Sequence, residues 1–593
     1  MHDINDKSEQ NGYYMNFSLD VDIIKNMLSA KVLYGLNKEN TSRDSYIPSD
    51  IYYALQRKSR GNLGYGKRQQ STLEGTLTFQ HKFGELLDMN LMAGMGRYLD
   101  SGDGSDISYE NANDHIQGSS VGMADGPFYP TSYKYKNEKR SQFVRGSFDL
   151  FGRYVVSASL RRDGTDKFFP SKKYALFPSV SLAWKMNEES FIKNISWINM
   201  LKLRASYGET GSDNLGTTLY GIVTTTREDV QFNNNSVTYI PYILSGANYE
   251  DVTWQKTVMK NIGLDFSIFR DRIWGSVDVF RNDVTHLLGT APTELLGMHG
   301  TRPINGGHYK RTGIDVSLNS LNLQTHDFKW TSQITMSHYN AVWIERMPNY
   351  DYQKYQKRKN EPMNAFYYYK TTGIIDMDKS NMPESQRSLG PAACMPGYPI
   401  VEDKNGDGII DVNDSYMDNM LPKLYFGFGN TFTWKNFDLD IFMYGQLGVK
   451  KWNDAYSYSA DAGNLSRGVD AHNVGIYSYN IWNTQTNTNG YFPGIAISKS
   501  VALPENLGFD YTRENASYIR VRNITLGYNL GPKELSVFKG YIRGIRVFVD
   551  FQNPLTFTKY KGYDPEINTS SSNLTGGQYP QMRVYSIGAK LTF

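Results

Sequence analysis

The sequence is poor in cysteine, in long apolar runs and in net charge. Cys394 is the one cysteine among 593 residues, so the sequence predicts neither a disulfide framework nor a thiolate metal site. No apolar run is long enough for a transmembrane helix. The formal net charge of +3 is small, and without a basic block or acidic tail nothing points to nucleic acid. No cationic segment followed by an apolar core opens the chain, so no secretory signal is visible, and an exported protein would lack its beginning here.

Aromatic residues, by contrast, are abundant. They make up 14% of the chain and include 44 tyrosines, and Tyr and Trp collect where a bilayer meets water. The last twelve residues, Met582–Phe593, alternate between apolar and polar side chains, as a strand with one apolar face does. The apolar members are Tyr585, Ile587, Ala589, Leu591 and Phe593. Such a segment is typical of the closing strand of an outer-membrane barrel, and equally of an edge strand in a soluble sheet.

Alternating segments recur along the whole chain, and their connections differ sharply in length. Phe143–Phe151, for example, passes through the tight turn Gly152-Arg153 into Tyr154–Arg162, whereas long polar loops follow other pairs. The remaining predicted strands are Tyr14–Ile24, Leu28–Leu36, Thr72–Phe83, Met89–Tyr98, Tyr174–Trp184, Leu201–Tyr207, Ile262–Phe269, Ile273–Phe280, Gly313–Leu318, Trp330–Tyr339, Leu424–Trp434, Phe437–Gln446, Tyr518–Tyr528, Ile545–Phe551 and the closing strand. A phase slip between Val521 and Ile524 predicts a β-bulge.

These segments amount to about 17 strands joined alternately by tight turns and long polar loops. Outer-membrane barrels have this asymmetry, with short periplasmic turns and long extracellular loops. A β-sandwich or a propeller would space its turns more evenly. We therefore predict an all-β fold, a transmembrane antiparallel β-barrel, with a soluble multi-sheet protein as the alternative.

The strand count predicts that the barrel is partial. If the tight turns are periplasmic, the first and last strands both descend to the periplasm, whereas a bacterial single-chain barrel has an even number of strands. The large plugged transporters have about 22 strands. Residues 1–593 are therefore expected to be the C-terminal part of a longer barrel protein, with about five strands missing upstream.

Six stretches between about residue 140 and the end of the chain carry recognisable motifs. They are Arg161–Phe169 (RRDGTDKFF), Pro178–Trp184 (PSVSLAW), Lys202–Asn214 (KLRASYGETGSDN), Pro422–Gly429 (PKLYFGFG), Tyr518–Gly527 (YIRVRNITLG) and Asn553–Pro565 (NPLTFTKYKGYDP). These stretches resemble the SusC/RagA-like TonB-dependent transporters of Bacteroidetes outer membranes and follow one another in the family's order, so together they form a specific signal. The hairpins before residue 140 fit the looser part of the family.

The resemblance implies a 22-stranded barrel in the cell outer membrane, surrounded by lipid and holding an N-terminal plug. It implies a short box that engages the TonB complex and a SusD-like surface lipoprotein that covers the extracellular mouth. Such pairs import oligosaccharides or peptides. The plug, the TonB box and the first strands have no counterpart in this sequence, so contact with TonB would require a missing N-terminal region. The terminal Phe593 resembles the signal that the barrel-insertion machinery reads.

The segment 403–414 fits the twelve-residue calcium loop. Asp403, Asn405 and Asp407 occupy positions 1, 3 and 5, and Ile409 offers its backbone carbonyl at position 7. Asp411 stands at position 9 and Asp414 at position 12, where Glu is usual, while Gly408 at position 6 permits the sharp turn. Oxygen ligands at this density suit Ca²⁺ better than Zn²⁺ or Cu²⁺. The alternative is a turn rich in Asp, Asn and Gly without an ion.

We expect one structural Ca²⁺ at this loop, within a long extracellular connection of about residues 342–421. An unstructured connection of that length would be unusual in a compact protein, so the ion is expected to order it. No helices are predicted on either side of the loop, which therefore is interpreted as a structural clip and not as a sensor.

No catalytic residues are predicted, and the protein is not expected to be an enzyme. The nine histidines have no metal-ligand spacing, and neither a nucleophile elbow nor a P-loop occurs. Asp149, Asp278 and Asp440 are interpreted as polar residues of the barrel interior. The segments Tyr367–Tyr369 and Tyr456–Tyr458 fit either stacking on sugar rings or packing within loops, so the substrate-binding residues stay unknown.

Three hypotheses follow for the function. The first is the barrel of a nutrient importer that takes up oligosaccharides or peptides. The second is a non-transporting truncated barrel or surface receptor. The third is a soluble calcium-binding β protein.

Overall fold

The structure is a computed structural model of the chain. It describes residues 4–49, 58–111, 121–214, 250–292, 301–348, 352–356, 360–452, 480–494, 503–510, 513–532, 534–538, 541–562, 564–567 and 580–592, together with four short strands between residues 224 and 244. Among these residues no helix has both the length and the apolar character needed to cross a membrane. The terminal Phe593 and the segment Tyr456–Tyr458 lie outside the described residues.

Within the described residues, seventeen antiparallel strands belong to the main sheet, which matches the predicted strand number. They are β1 (Asn5–Ile24), β2 (Leu28–Ile47), β3 (Arg60–Phe83), β4 (Leu87–Glu110), β5 (Phe128–Leu150), β6 (Tyr154–Thr165), β7 (Tyr174–Lys185), β8 (Ile198–Ser212), β13 (Gln255–Ile268), β14 (Ile273–Pro292), β15 (Thr301–Gln324), β16 (Phe328–Glu345), β21 (Leu424–Trp434), β22 (Phe437–Leu447), β26 (Tyr518–Leu530), β27 (Gly544–Thr558) and β28 (Val584–Thr592).

The other elements are short and lie in the connections. The strands are β9 (Thr224–Thr226), β10 (Phe232–Asn234), β11 (Val237–Tyr239), β12 (Tyr242–Leu244), β17 (Ala365–Tyr369), β18 (Thr371–Ile374), β19 (Pro399–Val401), β20 (Tyr416–Asn419), β23 (Lys450–Trp452), β24 (Gly508–Phe509) and β25 (Arg513–Asn515). The helices are α1 (Ser190–Lys193) and 3-10 turns at Val121–Met123, Pro170–Lys172, Met186–Glu188, Glu384–Leu389, Pro391–Cys394, Val412–Asp414, Pro504–Asn506 and Ser536–Phe538.

The chain divides into two units. The first comprises Met1–Trp184, Ala205–Met259 and Val284–Gly306, and the second Lys185–Arg204, Lys260–Asp283 and Gly307–Phe593. In the first unit the strands β1 to β7 pair antiparallel in chain order, each with the next. In the second unit the pairing continues from β15 through β16, β21, β22, β26 and β27 to β28.

The strands of the first unit are longer than the sequence pattern predicted. The polar stretches after Leu36 and Tyr98 were expected to be loops, but β2 continues to Ile47 and β4 to Glu110. The prediction failed because it relied on alternation between apolar and polar side chains. Where both faces of a strand are polar no alternation is visible, yet the ladder of backbone hydrogen bonds between β3 and β4 runs unbroken to Glu110.

In the second unit the predicted bounds are closer to the observed ones. Leu424–Trp434 was predicted exactly as β21 forms it, and the expected bulge is present as a register shift between Val521 and Asn523. In the connection after β26, the N–H of Leu535 donates to the carbonyl of Gly531 at 3.1 Å, which closes one helical turn, and a 3-10 turn follows at Ser536–Phe538.

The connection 346–423 is a small folded lobe and not an open loop. Together with residues 480–494, 503–510 and 513–516 it contains two clusters of buried apolar side chains, which share the partly buried Leu389 and Phe509. The first cluster is Tyr369, Val401, Ile410 and Leu503, and the second is Ile375, Ala393, Tyr398 and Ile400. We call this region the loop lobe. It lies at one end of β21 and β22, and the tight turn Lys435-Asn436 lies at the other end.

Near the tight turns, main strands such as β6 and β22 have one apolar and one polar face. Near the tight turns the apolar face is aromatic: the rings of Trp330 and Phe432 stack with centroids 5.6 Å apart, and Phe437 meets Tyr528 at 4.7 Å. In the first unit, Tyr154 and Trp184 stack in the same way beside the turn at Gly152. A belt of aromatic side chains at one level of a sheet is the arrangement found where a membrane barrel meets the bilayer interface.

Candidate functional site

The predicted calcium loop, residues 403–414, is wound into tight turns by its own side chains. Gly406 and Gly408 have φ angles of 74° and 83°, a left-handed conformation that glycine adopts without strain. The two carboxylate oxygens of Asp403 accept hydrogen bonds from the backbone N–H groups of these glycines at 2.7 and 2.9 Å. The carboxylate of Asp403, at position 1 of the loop, therefore holds the backbone of Gly406 and Gly408, at positions 4 and 6, around itself.

The other predicted ligands lie along the same turns. The amide oxygen of Asn405 accepts from the N–H of Asp407 at 3.1 Å, and the carboxylate of Asp407 accepts from the N–H of Ile409 at 2.9 Å. Asn405, Asp407 and Ile409 are exposed. Their oxygens are thus accessible on the outer side of the loop.

The end of the loop is buried. Asp414 is fully buried, and its two carboxylate oxygens accept from the N–H of Lys404 at 2.9 Å and from the N–H of Asp411 at 2.8 Å. Asp411 accepts in turn from the N–H of Asn413 at 2.7 Å, which completes a capping box at the 3-10 turn. Asp414 therefore ties the two ends of the loop together.

The donor set consists of oxygen atoms, which suits Ca²⁺. In the part of the chain that the structure describes, however, no three His, Cys, Asp or Glu side chains gather closely enough to hold a metal ion. The carboxylates are held by backbone amides instead. The turn-forming role of Asp403, Asn405 and Asp407 is thus present in the structure, and the role in binding calcium stays a prediction.

The loop is fastened to the loop lobe through its apolar position 8. Ile410 is buried in the cluster with Tyr369, and its N–H donates to the hydroxyl of Ser388 at 2.8 Å. Tyr367, Tyr368 and Tyr369 are all buried. The sequence left two roles open for Tyr367–Tyr369, stacking on sugar rings and packing within loops. In the structure these side chains pack within the lobe.

A charged group lies beside the loop in the same lobe. The ammonium of Lys370 lies 2.7 Å from the carboxylate of Glu402, and the hydroxyl of Tyr416 donates to that carboxylate at 3.0 Å. The contact with Lys370 lowers the pKa of Glu402 below its ordinary value. Burial, and then the hydrogen bond to Glu402, raise the pKa of Tyr416.

The polar face of the first unit contains a charged cluster within the segment Arg161–Phe169. The guanidinium of Arg161 donates to the carboxylate of Asp163 at 2.8 Å and to the hydroxyl of Ser141 at 2.7 Å. Tyr98 donates to Glu74 at 2.8 Å on the neighbouring strands. Asp149 lies on the same face, opposite Asp88.

The polar face of the second unit contains two of the predicted interior carboxylates. Asp440 accepts from the hydroxyl of Thr431 at 2.8 Å, and Asp278 accepts from Arg204 at 3.1 Å. Arg204 also contacts Asp265 at 2.7 Å. The partner of Asp440 lies on the adjacent strand and that of Asp278 on the strand beyond β13, so both carboxylates have the structural role that the sequence predicted for them.

Two stronger charge clusters were missed by the sequence reasoning. Arg546 donates to Asp438 across the sheet at 2.6 Å. Arg520, almost fully buried, lies 2.8 Å from Asp564 and also contacts Glu566. Each pair is separated by more than forty residues in the sequence, so only the tertiary structure joins them: the strand order for Arg546 and Asp438, and the path of the chain after β27 for Arg520 and its partners.

A model of the family described as TonB-dependent receptor-like, β-barrel, matches residues 1–553. The chain belongs to that family. The resemblance to SusC/RagA-like receptors is confirmed, and the sheet is a transmembrane antiparallel β-barrel of the outer membrane. Its apolar face is the lipid-facing one, its polar face lines the interior, the tight turns are periplasmic and the long connections extracellular. The soluble alternative is thereby set aside, and the family is one of receptors and not of enzymes.

Curated relatives match over most of the chain. TonB-dependent receptor P3 of Formosa agariphila is 26% identical over 628 residues, covering 99% of this chain and 58% of that protein. TonB-dependent receptor SusC of Bacteroides thetaiotaomicron is 27% identical over 484 residues, covering 78% of this chain and 44% of SusC. The chain thus spans about half the length of the curated relatives it matches.

The solved structure of the RagAB peptide transporter has the same fold. Its chain superposes on this one with a TM-score of 0.80 at 20% sequence identity. The alignment covers 100% of this chain and 63% of the other.

Proposed function

We propose that this chain is the barrel of an outer-membrane TonB-dependent importer for nutrients. The observation that carries the proposal is the match of residues 1–553 to the receptor barrel family. The likeness to SusC supports it, and so does the fold shared with the RagAB peptide transporter. The substrate class that we propose is oligosaccharides or peptides.

The interior face supports a passage for polar solutes. Its carboxylates and guanidiniums pair along one strand, as Arg161 does with Asp163 on β6, or across an intervening strand, as Arg546 of β27 does with Asp438 of β22. Pairing keeps these side chains close to the wall, because each charge is held by its partner instead of extending into the passage. Serine pairs such as Ser159 and Ser179, with hydroxyls 2.7 Å apart, add uncharged hydrogen-bonding groups to the same surface.

The partners that we propose are a SusD-like surface lipoprotein at the extracellular side and the TonB complex at the periplasmic side. The loop lobe is a folded body on the extracellular side, with its own apolar clusters. A rigid extracellular surface is a suitable platform for a lipoprotein lid. The contact with TonB is proposed for the whole protein.

Uptake assays test this function. Cells that lack the gene, including any sequence in frame with it, are grown on mixtures of oligosaccharides or of peptides as the sole nutrient. We expect a growth defect on one of the two mixtures. The gene should restore growth on that mixture, and a protonophore should abolish its uptake. Unchanged growth on both would instead favour the non-transporting barrel or surface receptor.

We also propose that residues 403–414 bind one structural Ca²⁺. The spacing of Asp403, Asn405 and Asp407, the glycines with positive φ and the exposed oxygens support this. Asp411 and Asp414 complete the predicted set, with the carbonyl of Ile409. Calorimetric titration of the purified chain with Ca²⁺, and with Mg²⁺ as a control, measures the affinity directly; no heat of binding with either ion would refute the proposal.

A further inference from the structure

The segment Arg161–Gly164 sends two arginines to opposite faces of β6. Arg161 points into the interior, where it pairs with Asp163. Arg162 is on the lipid-facing side and exposed, and its guanidinium lies 4.0 Å from the centroid of the Tyr174 ring. Gly164 makes this possible, because a Cβ there would lie 2.3 Å from that ring. The outward arginine is therefore held in place by a cation–π contact at the surface.

Two more arginines lie beside it on the same outward face. Arg97 of β4 is directly opposite Arg140 of β5, and their side chains are 55% and 59% exposed. Like charges in directly opposed positions repel. Glu138 bridges the two, at 2.8 Å from Arg97 and 2.6 Å from Arg140, but one carboxylate neutralises only one of the two charges. With Arg162, these residues form a cluster with an excess of positive charge, which we call the outer arginine cluster.

An apolar groove runs along the lipid-facing surface from this cluster toward the periplasmic turns. Its volume is about 730 Å³, and Arg162 stands at its edge. Its walls are large side chains such as Val32, Leu160 and Leu176, while its floor includes Gly75 and Ala93. A second apolar groove of about 560 Å³ continues it past Leu77 and Leu91.

The outer arginine cluster lies at the outer edge of the membrane-spanning band. Arg97 is ten residues from Leu87, where β4 leaves the periplasmic turn. At about 3.3 Å per residue and a tilt of about 40°, ten residues rise about 25 Å, which equals the height of the apolar band of a membrane barrel. The cations are therefore at headgroup level in the outer leaflet, and the groove is at acyl-chain level below them.

We propose that this face binds a phosphate-bearing, acylated lipid of the outer leaflet. Guanidinium groups are the side chains best matched to phosphate, because they offer several donors in a fixed plane. The phosphate lies on the outer arginine cluster, and an acyl chain occupies the groove over Gly75 and Ala93. A soluble anion would be attracted by the arginines alone and would gain nothing from an apolar groove beneath them.

Native mass spectrometry of the delipidated chain in detergent tests the site, with lipid A and chemically dephosphorylated lipid A as probes. We expect the chain to bind lipid A at least tenfold more tightly than the dephosphorylated form. The variant Arg97→Gln/Arg140→Gln/Arg162→Gln is expected to lose this preference. Equal affinity of the native chain for the two probes would overturn the proposal.

Arg68→Gln is the matched control, because Arg68 of β3 pairs with Asp100 on the face opposite to that of Arg97 and lines neither groove. We expect it to bind lipid A as the native chain does, and an equal loss in this control would show a non-specific charge effect and overturn the site. Folding of each variant is verified by heat-modifiable gel mobility. If the triple variant does not fold, Arg162→Gln alone is used, and a loss of at least threefold is the expected result.

Gly75→Leu tests the groove separately from the charges. A Cβ on Gly75 meets no atom within 4 Å, so the new side chain enters the groove without a clash. We expect it to weaken binding of both lipid A forms several-fold while the preference for phosphate persists. Unchanged binding of both forms, or displacement of lipid A by millimolar inorganic phosphate alone, would show an anion site without an acyl groove and refute the proposal.

Discussion

The hydroxyl of Tyr369 donates a hydrogen bond of 2.9 Å to the backbone carbonyl of Asp411, and the same side chain is fully buried. One residue thereby joins the apolar core of the loop lobe to the end of the predicted calcium loop. Ile410, beside Asp411, is buried in the same cluster as Tyr369. The conformation of the loop therefore depends on this hydrogen bond as well as on the turns within the loop.

Tyr369→Phe is therefore expected to loosen the loop while the lobe stays folded. The ring remains in the core, and the loss of one hydrogen bond costs about 1 kcal/mol. Hydrogen exchange of the amides between residues 403 and 414 should become about fivefold faster. Tyr491→Phe is the control, because Tyr491 is 62% exposed in the same lobe, and equal acceleration in both variants would contradict the role of the Asp411 contact.

The strands of the membrane band were predictable from the sequence, because bilayer and interior impose opposite polarity on neighbouring side chains. Phe437–Leu447 shows this well: the pattern predicted it to within one residue. The extracellular parts of β2 to β5 were not predictable in the same way. Between Asp100 and Glu110 both faces of β4 are largely polar, so only the pairing with β3 shows that the strand continues.

The candidate site was predictable only where the chemistry is local. The turns of Asp403 and Asp407 follow from spacing within twelve residues. Two other contacts join residues far apart in the sequence, and only the tertiary structure brings them together. They are the contact of Tyr369 with Asp411 and the pair of Arg546 with Asp438. The outer arginine cluster likewise depends on Arg97 and Arg140 being opposed across two strands.

Asp403→Ala is expected to lower the thermal stability of the loop lobe more in the presence of calcium than in its absence. Without the ion the variant loses two turn hydrogen bonds, and with it a metal ligand as well. Limited proteolysis at increasing temperature, with calcium or with a chelator, measures the difference. Asp378→Ala is a matched control, because Asp378 accepts from the N–H of Ser380 in a similar turn outside the loop. Equal effects of Asp403→Ala in both conditions would remove calcium from the explanation.

The ion pair of Glu402 and Lys370 predicts a pH dependence of the loop lobe. Because the pKa of Glu402 is lowered in the folded state, its contribution to stability is complete above the ordinary carboxyl pKa of about 4.3. The contribution is lost as the pH falls through the lowered value. Protease susceptibility of the lobe should therefore rise below about pH 4. In Glu402→Gln the rise should be smaller, and an identical pH profile would exclude this pair as a cause.

Breaking the interior pair of Asp438 and Arg546 is expected to destabilise the last strands of the barrel. Asp438→Asn leaves a partly buried guanidinium with a weaker acceptor, at a cost of about 1.5–3 kcal/mol. The urea concentration at the midpoint of unfolding, followed by heat-modifiable gel mobility, should fall. Asp550→Asn is the comparison, because Asp550 accepts from the neutral hydroxyl of Thr525 and should cost less. A larger effect at Asp550 would contradict the importance of the charge pair.

Gly588 is expected to be essential for the packing of Phe548 against the closing strand. A Cβ on Gly588 would lie 2.5 Å from the end of the Phe548 ring, and the guanidinium of Arg546 lies 4.9 Å from the centre of the same ring. Gly588→Val should therefore destabilise the barrel by about 1–3 kcal/mol, although valine favours strands. The measurement is again the urea midpoint of unfolding.

Gly75→Val is the matched control for Gly588→Val, because Gly75 is also a strand glycine but has open space where its Cβ would be. We expect this control to be neutral or slightly stabilising, since a side chain restricts the unfolded chain. The double variant Gly588→Val/Phe548→Leu should recover part of the loss, because the smaller side chain gives the new methyl groups room. Equal losses in both glycine variants, or no recovery in the double variant, would mean that backbone freedom, and not the Phe548 ring, requires glycine at position 588.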